Sequence, residues 1–424
     1  MREEREEGLK QMVLDLETIG SAVRDVNDSV IEWRRDIHAH PELSNREVRT
    51  AGLVAEHLES LGIRTTRGIA HTGVVGILEG GRPGRVVALR ADMDALPVTE
   101  ETDVPFASKV VTEYEGERVG VMHACGHDAH TAILMGVASV LAGLRDDLAG
   151  TIKFIFQPAE EGAPRGEEGG AQLMVREGVL ENPGVDCIFG LHVTSRFETG
   201  TIAVRPGPLL AANDSVRIKV RGRQTHGAYP WLGVDPIVAA AQIITALQTI
   251  PSRQLDSLAA PSVVTIGQIR GGVRNNIIPG EVDMWGTLRS LDAGNRAELL
   301  DRVRKTAEKI AESAGAEAIV EIETGYPVTW NDPDLARMAE EILRVVAGES
   351  RVVTPSPVLG AEDFAFYQQK VPGVFFYLGV RPPGKAESGE ASNHSPRFFV
   401  DEAGLELGVK AMTALALEAG QQIP

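Results

Sequence analysis

The chain has 424 residues, of which 43% are hydrophobic and 24% charged. That length suits two domains, and the composition argues against extended disorder. Forty-two basic residues stand against 60 acidic ones, a formal net charge of −18. The balance excludes a general nucleic-acid binder, which needs a basic face to displace counterions, although a local pocket on an acidic protein can still hold a small anion.

Two cysteines, Cys125 and Cys187, allow at most one disulfide. The charged opening MREEREEGLK lacks the apolar stretch of a secretory signal, and no apolar run of about 18 residues marks a membrane span. The expectation is a cytoplasmic protein.

Residues 1–30 read as an acidic helical lead-in. Helical periodicity then runs through VIEWRRDIHAH and stops at Pro41, and a second helix covers about Asn45 to Leu61 before Gly62. GVVGILEG and RVVALRAD are short strands. The segment from His130, HTAILMGVASVLAGL, is apolar at helical spacing. TIKFIFQ and DCIFGLHV are buried strands by their β-branched and aromatic content, and EEGAPRGEEGG between them reads as a loop. Strands alternating with helices predict a mostly parallel sheet covered on both faces.

After about Pro208 the pattern becomes strand, helix, strand, strand, helix, strand. DSVRIKVRGR, SVVTIGQIRGG, EVDMWGTLRS and EAIVEIETGYP are the strands, and DPIVAAAQIITALQTI and NRAELLDRVRKTAEKIAESAG are the helices. From Pro327 the earlier alternation resumes. The economical reading is an α/β domain formed by 1–209 and 327–424, interrupted by an inserted α+β domain at 210–326.

Histidine and cysteine are scarce, so their placement is informative. MHACGHDAH sets Cys125, His127 and His130 just before a helix; two residues apart in extended backbone, Cys125 and His127 point to one side. They either begin a transition-metal site or are a buried thiol with capping histidines. FQPAEEG leaves the end of a strand, where ligands gather in open α/β sheets. Of its adjacent Glu160 and Glu161, one can bind a metal while the other faces the water on it, or both belong to an acid-rich loop. His192 closes an apolar strand and His394 sits in the polar loop SNHSP. Together these clusters supply sulfur, nitrogen and oxygen donors beyond the four that a single tetrahedral zinc takes, which suits two metals with a bridging ligand.

RRDIHAHPELS, RADMDALPV, MHACGHDAHTA, QPAEEG, GLHV, HGAYPWLGVDPI, NNIIPG, GAEDFAFY and SNHSP, in this order from about Ile31 to the end, resemble the peptidase M20 family. The branch most similar holds bacterial aminoacylases, hippurate hydrolases, thermostable carboxypeptidases and plant auxin-conjugate hydrolases. The resemblance implies a zinc-peptidase-type catalytic domain with an inserted dimerisation or lid domain, and two divalent metals (Mn²⁺, Zn²⁺, Co²⁺ or Ni²⁺) per subunit. It implies that Cys125 bridges them and that His127, Glu161, His192 and His394 complete the ligands. Glu160 matches the general base, and Asp94 an acidic residue that orients a metal-side group, with Asp92 its competitor. His226 matches a histidine that reaches a partner subunit's active site and polarises the scissile carbonyl. Asn276 and Arg289 fall where relatives hold the substrate carboxylate, and Glu362 lies in a motif near the metals and is assigned to substrate binding. His38 and His40, at a helix end before Pro41, read as structural.

The expected function is hydrolysis of an N-acyl amino acid or related conjugate by a homodimer, with a dipeptidase of the same family as the alternative. A cysteine hydrolase using Cys125 and His127, and a non-enzymatic metal-dependent binding protein, are the competitors from other classes.

Overall fold

The computed structural model describes residues 2–258, 260–385, 387 and 391–421. The chain divides into two compact units, one formed by 1–207, 331–355 and 366–424, the other by 208–330 and 356–365. The second unit thus takes in a short return segment, 356–365, that lies outside the expected 210–326.

In the first unit, helix α1 (Arg2–Ala39) is one continuous helix in place of a lead-in and a separate successor, and α2 (Val48–Ser60) follows the HPELS turn. Strands β1 (Arg64–Ile69), β2 (Gly73–Glu79) and β3 (Arg82–Asp92) lead to a hairpin of β4 (Val111–Tyr114) and β5 (Glu117–Gly120) that the sequence pattern did not reveal. Helix α3 (His127–Gly143), β6 (Ala149–Gln157), α4 (Gly170–Arg176), β7 (Cys187–Glu198) and β8 (Ile202–Ala203) follow. After the insertion come α5 (Pro333–Ala347), β9 (Val352–Val353), β10 (Gly373–Arg381) and α6 (Leu405–Gly420).

The eight-stranded sheet runs β1-β2-β6-β3-β7-β10-β8-β9. Its centre is parallel: β3 pairs with β6 and with β7, and β7 with β10. A parallel strand is buried on both faces, which is why β6 and β10 read as continuous apolar runs. Helix α3 is apolar on every face because it lies inside the layer it helps form. Ile133, Met135 and Leu141 share one core with Val23 and Val30 of α1, Leu89 and Phe154 of the sheet, and Val409 and Leu415 of α6. Gly136 makes this close packing possible, since a β-carbon there would meet Val30 Cγ2 at 2.6 Å and Val409 Cγ2 at 3.1 Å.

The second unit has a four-stranded antiparallel sheet of 212–221, 262–271, 281–290 and 317–324. Residues 212–221 alternate in and out, so Val216, Ile218 and Val220 face the helices 236–247 and 293–313 and form that unit's own core. Asp235 and Asp292 cap those two helices, accepting backbone N–H groups at 2.9 Å and 2.8 Å. A part-buried ion pair of Arg296 with Asp214, 2.7 Å, joins helix to sheet. Among the described residues no helix is long and apolar enough to cross a membrane.

Candidate metal centre

Three segments of the first unit converge at the carboxyl ends of its parallel strands. β3 ends at Asp92, in register with Gln157 at the end of β6, so Asp94 and the Glu160–Glu161 pair leave the sheet side by side. β7 continues to Glu198, further than the sequence pattern suggested, but its pairing with β3 ends at Gly190, and His192 therefore stands past that edge.

Gly126 is left-handed (φ 90°) and caps α3; a β-carbon there would meet Val193 Cγ2 at 2.3 Å. Cys125 and His127 are thus brought together by a turn into the helix and not by the extended backbone expected from their spacing. The loop bearing His394 (φ 70°) is tied down by its neighbour. Asn393 Nδ2 donates to the carbonyls of Cys125 and Val193 at 3.2 and 3.1 Å, and His394 N–H to Ala124 O at 2.8 Å.

Cys125 Sγ lies 3.3 Å from His192 Nε2 and 3.2 Å from His394 Nε2. His394 Nε2 is 3.1 Å from Glu161 Oε1, and His127 Nε2 is 4.0 Å from both Glu161 Oε1 and Glu160 Oε2. Cys125 belongs to two triads, one with His127 and His192 and one with Glu161 and His394, each with its donor atoms within 4.8 Å of one another. Spacings of 3.1–3.3 Å are those of two ligands on one cation with bonds of about 2.0–2.3 Å. Two buried atoms, His127 Nε2 and Glu161 Oε1, have no aligned hydrogen-bond partner although both belong to such groups. The donor set fits a pair of cations sharing a thiolate.

Hydrogen bonds at Nδ1 turn the Nε2 atoms of His192 and His127 inward. His192 Nδ1–H donates to Val193 O at 2.7 Å, leaving Nε2 for a cation. His127 Nδ1–H donates to Asp94 Oδ1 at 3.2 Å. Asp94, 1% exposed, also accepts Ser44 Oγ–H at 2.8 Å and Glu161 N–H at 3.0 Å on Oδ2, so one carboxylate orients a histidine and a glutamate together. Asp92 is engaged elsewhere: it takes Arg90 Nη1 at 2.6 Å and His130 Nδ1–H at 2.6 Å, while His130 Nε2 accepts Val193 N–H at 2.8 Å. Of the two competing aspartates, Asp94 touches His127 and Glu161 through hydrogen bonds.

Burial sets the direction of several ionisations in the cation-free protein. Burial, then Glu161 and Glu160, push the Cys125 thiol well above its usual range. Burial opposes the charge on His127, but Asp92 and Asp94 outweigh it and raise the ring to about 10. Burial, reinforced by His130, keeps His192 neutral, well below its usual value. Both cysteines are free thiols, so the one conceivable disulfide does not form.

His38 and His40 are not among these donors. His38 shares Asp128 with Arg34 and also touches Glu100, whereas His40 Nδ1 bonds Asp36 O. The sequence reading gave no positioning role to Ser44, His130 or Asn393, although each lies in a motif already singled out (HPELS, HDAH and SNHSP): Ser44 holds Asp94, His130 holds Asp92, and Asn393 ties the Cys125 and Val193 carbonyls.

In the second unit, His226 and Asn276 come together on a two-stranded ribbon pairing His226 with Ile277, closed by Gly227 N–H to Asn276 O at 2.8 Å. His226 is exposed, and its Nδ1 accepts Ala228 N–H at 3.0 Å, which places the proton of the neutral ring on Nε2. Arg289 is half-buried in the strand 281–290, with burial lowering its pKa. Glu362 is buried; its Oε1 accepts Phe364 N–H at 3.0 Å.

A parallel sheet ending in a sulfur–imidazole–carboxylate cage defines the class of metal-dependent hydrolases. The family model for peptidase family M20/M25/M40 matches residues 88–418, and the chain belongs to that family. It is 43% identical over 95% of its length to thermostable carboxypeptidase 2 of Saccharolobus solfataricus, covering 98% of that protein. It is 39% identical to an N-acetylcysteine deacetylase of Bacillus subtilis (92% of this chain, 96% of the relative) and 38% identical to an IAA-amino acid hydrolase of Arabidopsis thaliana (96% and 89%). Among solved structures, the YXEP protein of Bacillus subtilis, a dinuclear metal binding peptidase, superposes with a TM-score of 0.78 at 36% identity, covering 94% of this chain and 99% of that one.

Proposed function

We propose that this protein is a two-metal amidohydrolase that cleaves the amide bond of N-acyl amino acids or related amino-acid conjugates, with Cys125 bridging the cations and His127, Glu161, His192 and His394 as the other ligands. The observation that carries this reading is Glu160. Its carboxylate stands 4.0 Å from the partnerless His127 Nε2, beside the donor cage and 6% exposed, where a pure binding site needs no base. Relatives named as a deacetylase of an N-acetyl amino acid, a hydrolase of amino-acid conjugates and a carboxypeptidase share an amide whose amine half is an amino acid.

Divalent cations held by these residues would supply Lewis acidity. Glu160 receives the attacking water's proton on a carboxylate oxygen and delivers it to the departing amine. His226, with its proton on Nε2, donates a hydrogen bond to the carbonyl oxygen as negative charge develops there. It acts in the partner subunit's site, which makes the homodimer the catalytic unit. Asn276 and Arg289 hold the substrate carboxylate, and Glu362 is assigned to substrate binding. In this reading Cys125 is a ligand and not a nucleophile, because its Sγ sits 3.3 Å from His192 Nε2 and 3.2 Å from His394 Nε2 as part of both donor triads.

The test is a panel of N-acyl amino acids, their carboxyl esters and dipeptides, assayed on chelator-stripped protein reloaded with Mn²⁺, Zn²⁺, Co²⁺ or Ni²⁺. Loss with chelator, rescue by metal, selectivity for the free carboxylate and loss of turnover in Glu160→Gln are expected. Chelator-indifferent activity abolished by alkylation would replace this reading with a cysteine hydrolase. Mixed Glu160→Ala and His226→Ala dimers should recover activity if His226 acts across subunits.

A further inference from the structure

Glu47 is a fully buried carboxylate, 0% exposed, at the start of α2, and no step above uses it. Its Oε1 accepts two backbone N–H groups, from Asn45 at 3.0 Å and from Ala159 at 2.9 Å, and its Oε2 accepts Thr72 Oγ–H at 2.5 Å. Ala159 immediately precedes Glu160 and is left-handed (φ 53°), a conformation that an alanine leaves unless its surroundings hold it. On the other side of Glu160, the N–H of Glu161 is held by Asp94 Oδ2 at 3.0 Å. Two buried carboxylates from distant segments therefore grip the residues on either side of Glu160.

We propose that Glu47 is a positioning residue that locks the left-handed turn at Ala159 and so aims the Glu160 carboxylate at the metal centre. The inference rests on the reading of Glu160 as the base. Without the grip, Ala159 relaxes towards ordinary backbone angles and Glu160 turns with it, while Glu161 stays anchored by Asp94. The loss therefore falls on turnover and not on metal loading. Burial and the neighbouring Asp94 push the Glu47 carboxyl up to about 7, while the grip itself is made by acceptor bonds to the N–H groups of Asn45 and Ala159. A glutamine offers the same Oε1 acceptor to both N–H groups, and its amide can donate to Thr72 Oγ.

The experiment compares Glu47→Gln, Glu47→Ala and the shortened Glu47→Asp with Glu160→Gln as metal-loaded proteins, by steady-state kinetics, metal content and crystal structure. Glu47→Ala is expected to lower kcat about 100-fold, the cost of a misplaced catalytic group, with KM and metal content unchanged. Glu47→Gln is expected to keep kcat within about threefold of the parent because both acceptor bonds survive. If Glu47→Ala does not fold, Glu47→Asp decides, since it keeps the charge and loses the reach. An unchanged kcat with Ala159 still left-handed and Glu160 unmoved overturns the proposal, as does equal damage in Glu47→Ala and Glu47→Gln accompanied by metal loss. A displaced Glu160 with full activity, together with an active Glu160→Gln, instead refutes Glu160 as the base and leaves the grip of Glu47 standing.

Discussion

Replacing Asp94 by Asn perturbs a single atom in a group that serves three donors. Oδ1 accepts His127 Nδ1–H, and Oδ2 accepts Ser44 Oγ–H and Glu161 N–H. Asparagine has one acceptor oxygen and one NH₂, so the three bonds cannot all survive. With the amide oxygen facing Ser44 and Glu161, the NH₂ faces His127 Nδ1, and the ring must carry its proton on Nε2, the atom that faces the cation site.

Loss of such an orienting partner costs about 10- to 100-fold in metal affinity, or about 1.4–2.8 kcal/mol. With the amide turned the other way, Glu161 N–H loses its acceptor and the cost of about 1–3 kcal/mol appears as lost stability. Competition of the stripped variant against a chromophoric chelator, with thermal unfolding in parallel, reads both outcomes. An Asp94→Asn protein that binds both cations with parental affinity and melts at the parental temperature would refute the orienting role.

Metal loading should release about two protons per subunit at pH 7.5, because the raised Cys125 thiol and His127, at about 10, both hold protons that ligation must remove. Affinity should therefore climb from pH 6 towards pH 9, and calorimetry in buffers of different ionisation enthalpy counts the protons; a release near zero contradicts the ligand set. Cys125→Ser should lose tight binding of the cation pair, measured as metal content after desalting, and retention of both cations would remove the thiolate bridge. Asp214→Ala strands the partly buried Arg296 guanidinium and should destabilise the inserted unit by about 3 kcal/mol. Urea unfolding followed by tryptophan fluorescence and circular dichroism checks this, and an unchanged midpoint contradicts it.

The donor residues were legible because each is a rare residue type at a predicted strand end or strand–helix junction, or in a distinctive motif. Their geometry was less so. Cys125 and His127 looked like an extended pair, whereas Gly126, left-handed and too close to Val193 for any β-carbon, turns the chain between them. Glu47 reads as an ordinary polar residue at a helix start, and its contact with Ala159, 112 residues away, exists only once two loops meet. Asn393 looks like a turn residue until its amide is seen bridging two carbonyls. The parallel sheet followed from continuous apolar strands, but the 111–120 hairpin is short and mostly polar, and gave no periodic signal.

The helix opened by His127 is covered by both ends of the unit: Gly136 is hemmed in by Val30 near the beginning and Val409 near the end. During synthesis at about 5–20 residues per second, the roughly 270 residues between Gly136 and Val409 take about 15–55 s to emerge. Throughout that interval the apolar body of this helix, from Ala132 to Leu141, lacks its final cover. A nascent chain of this design cannot complete the packing around that helix until α6 has emerged.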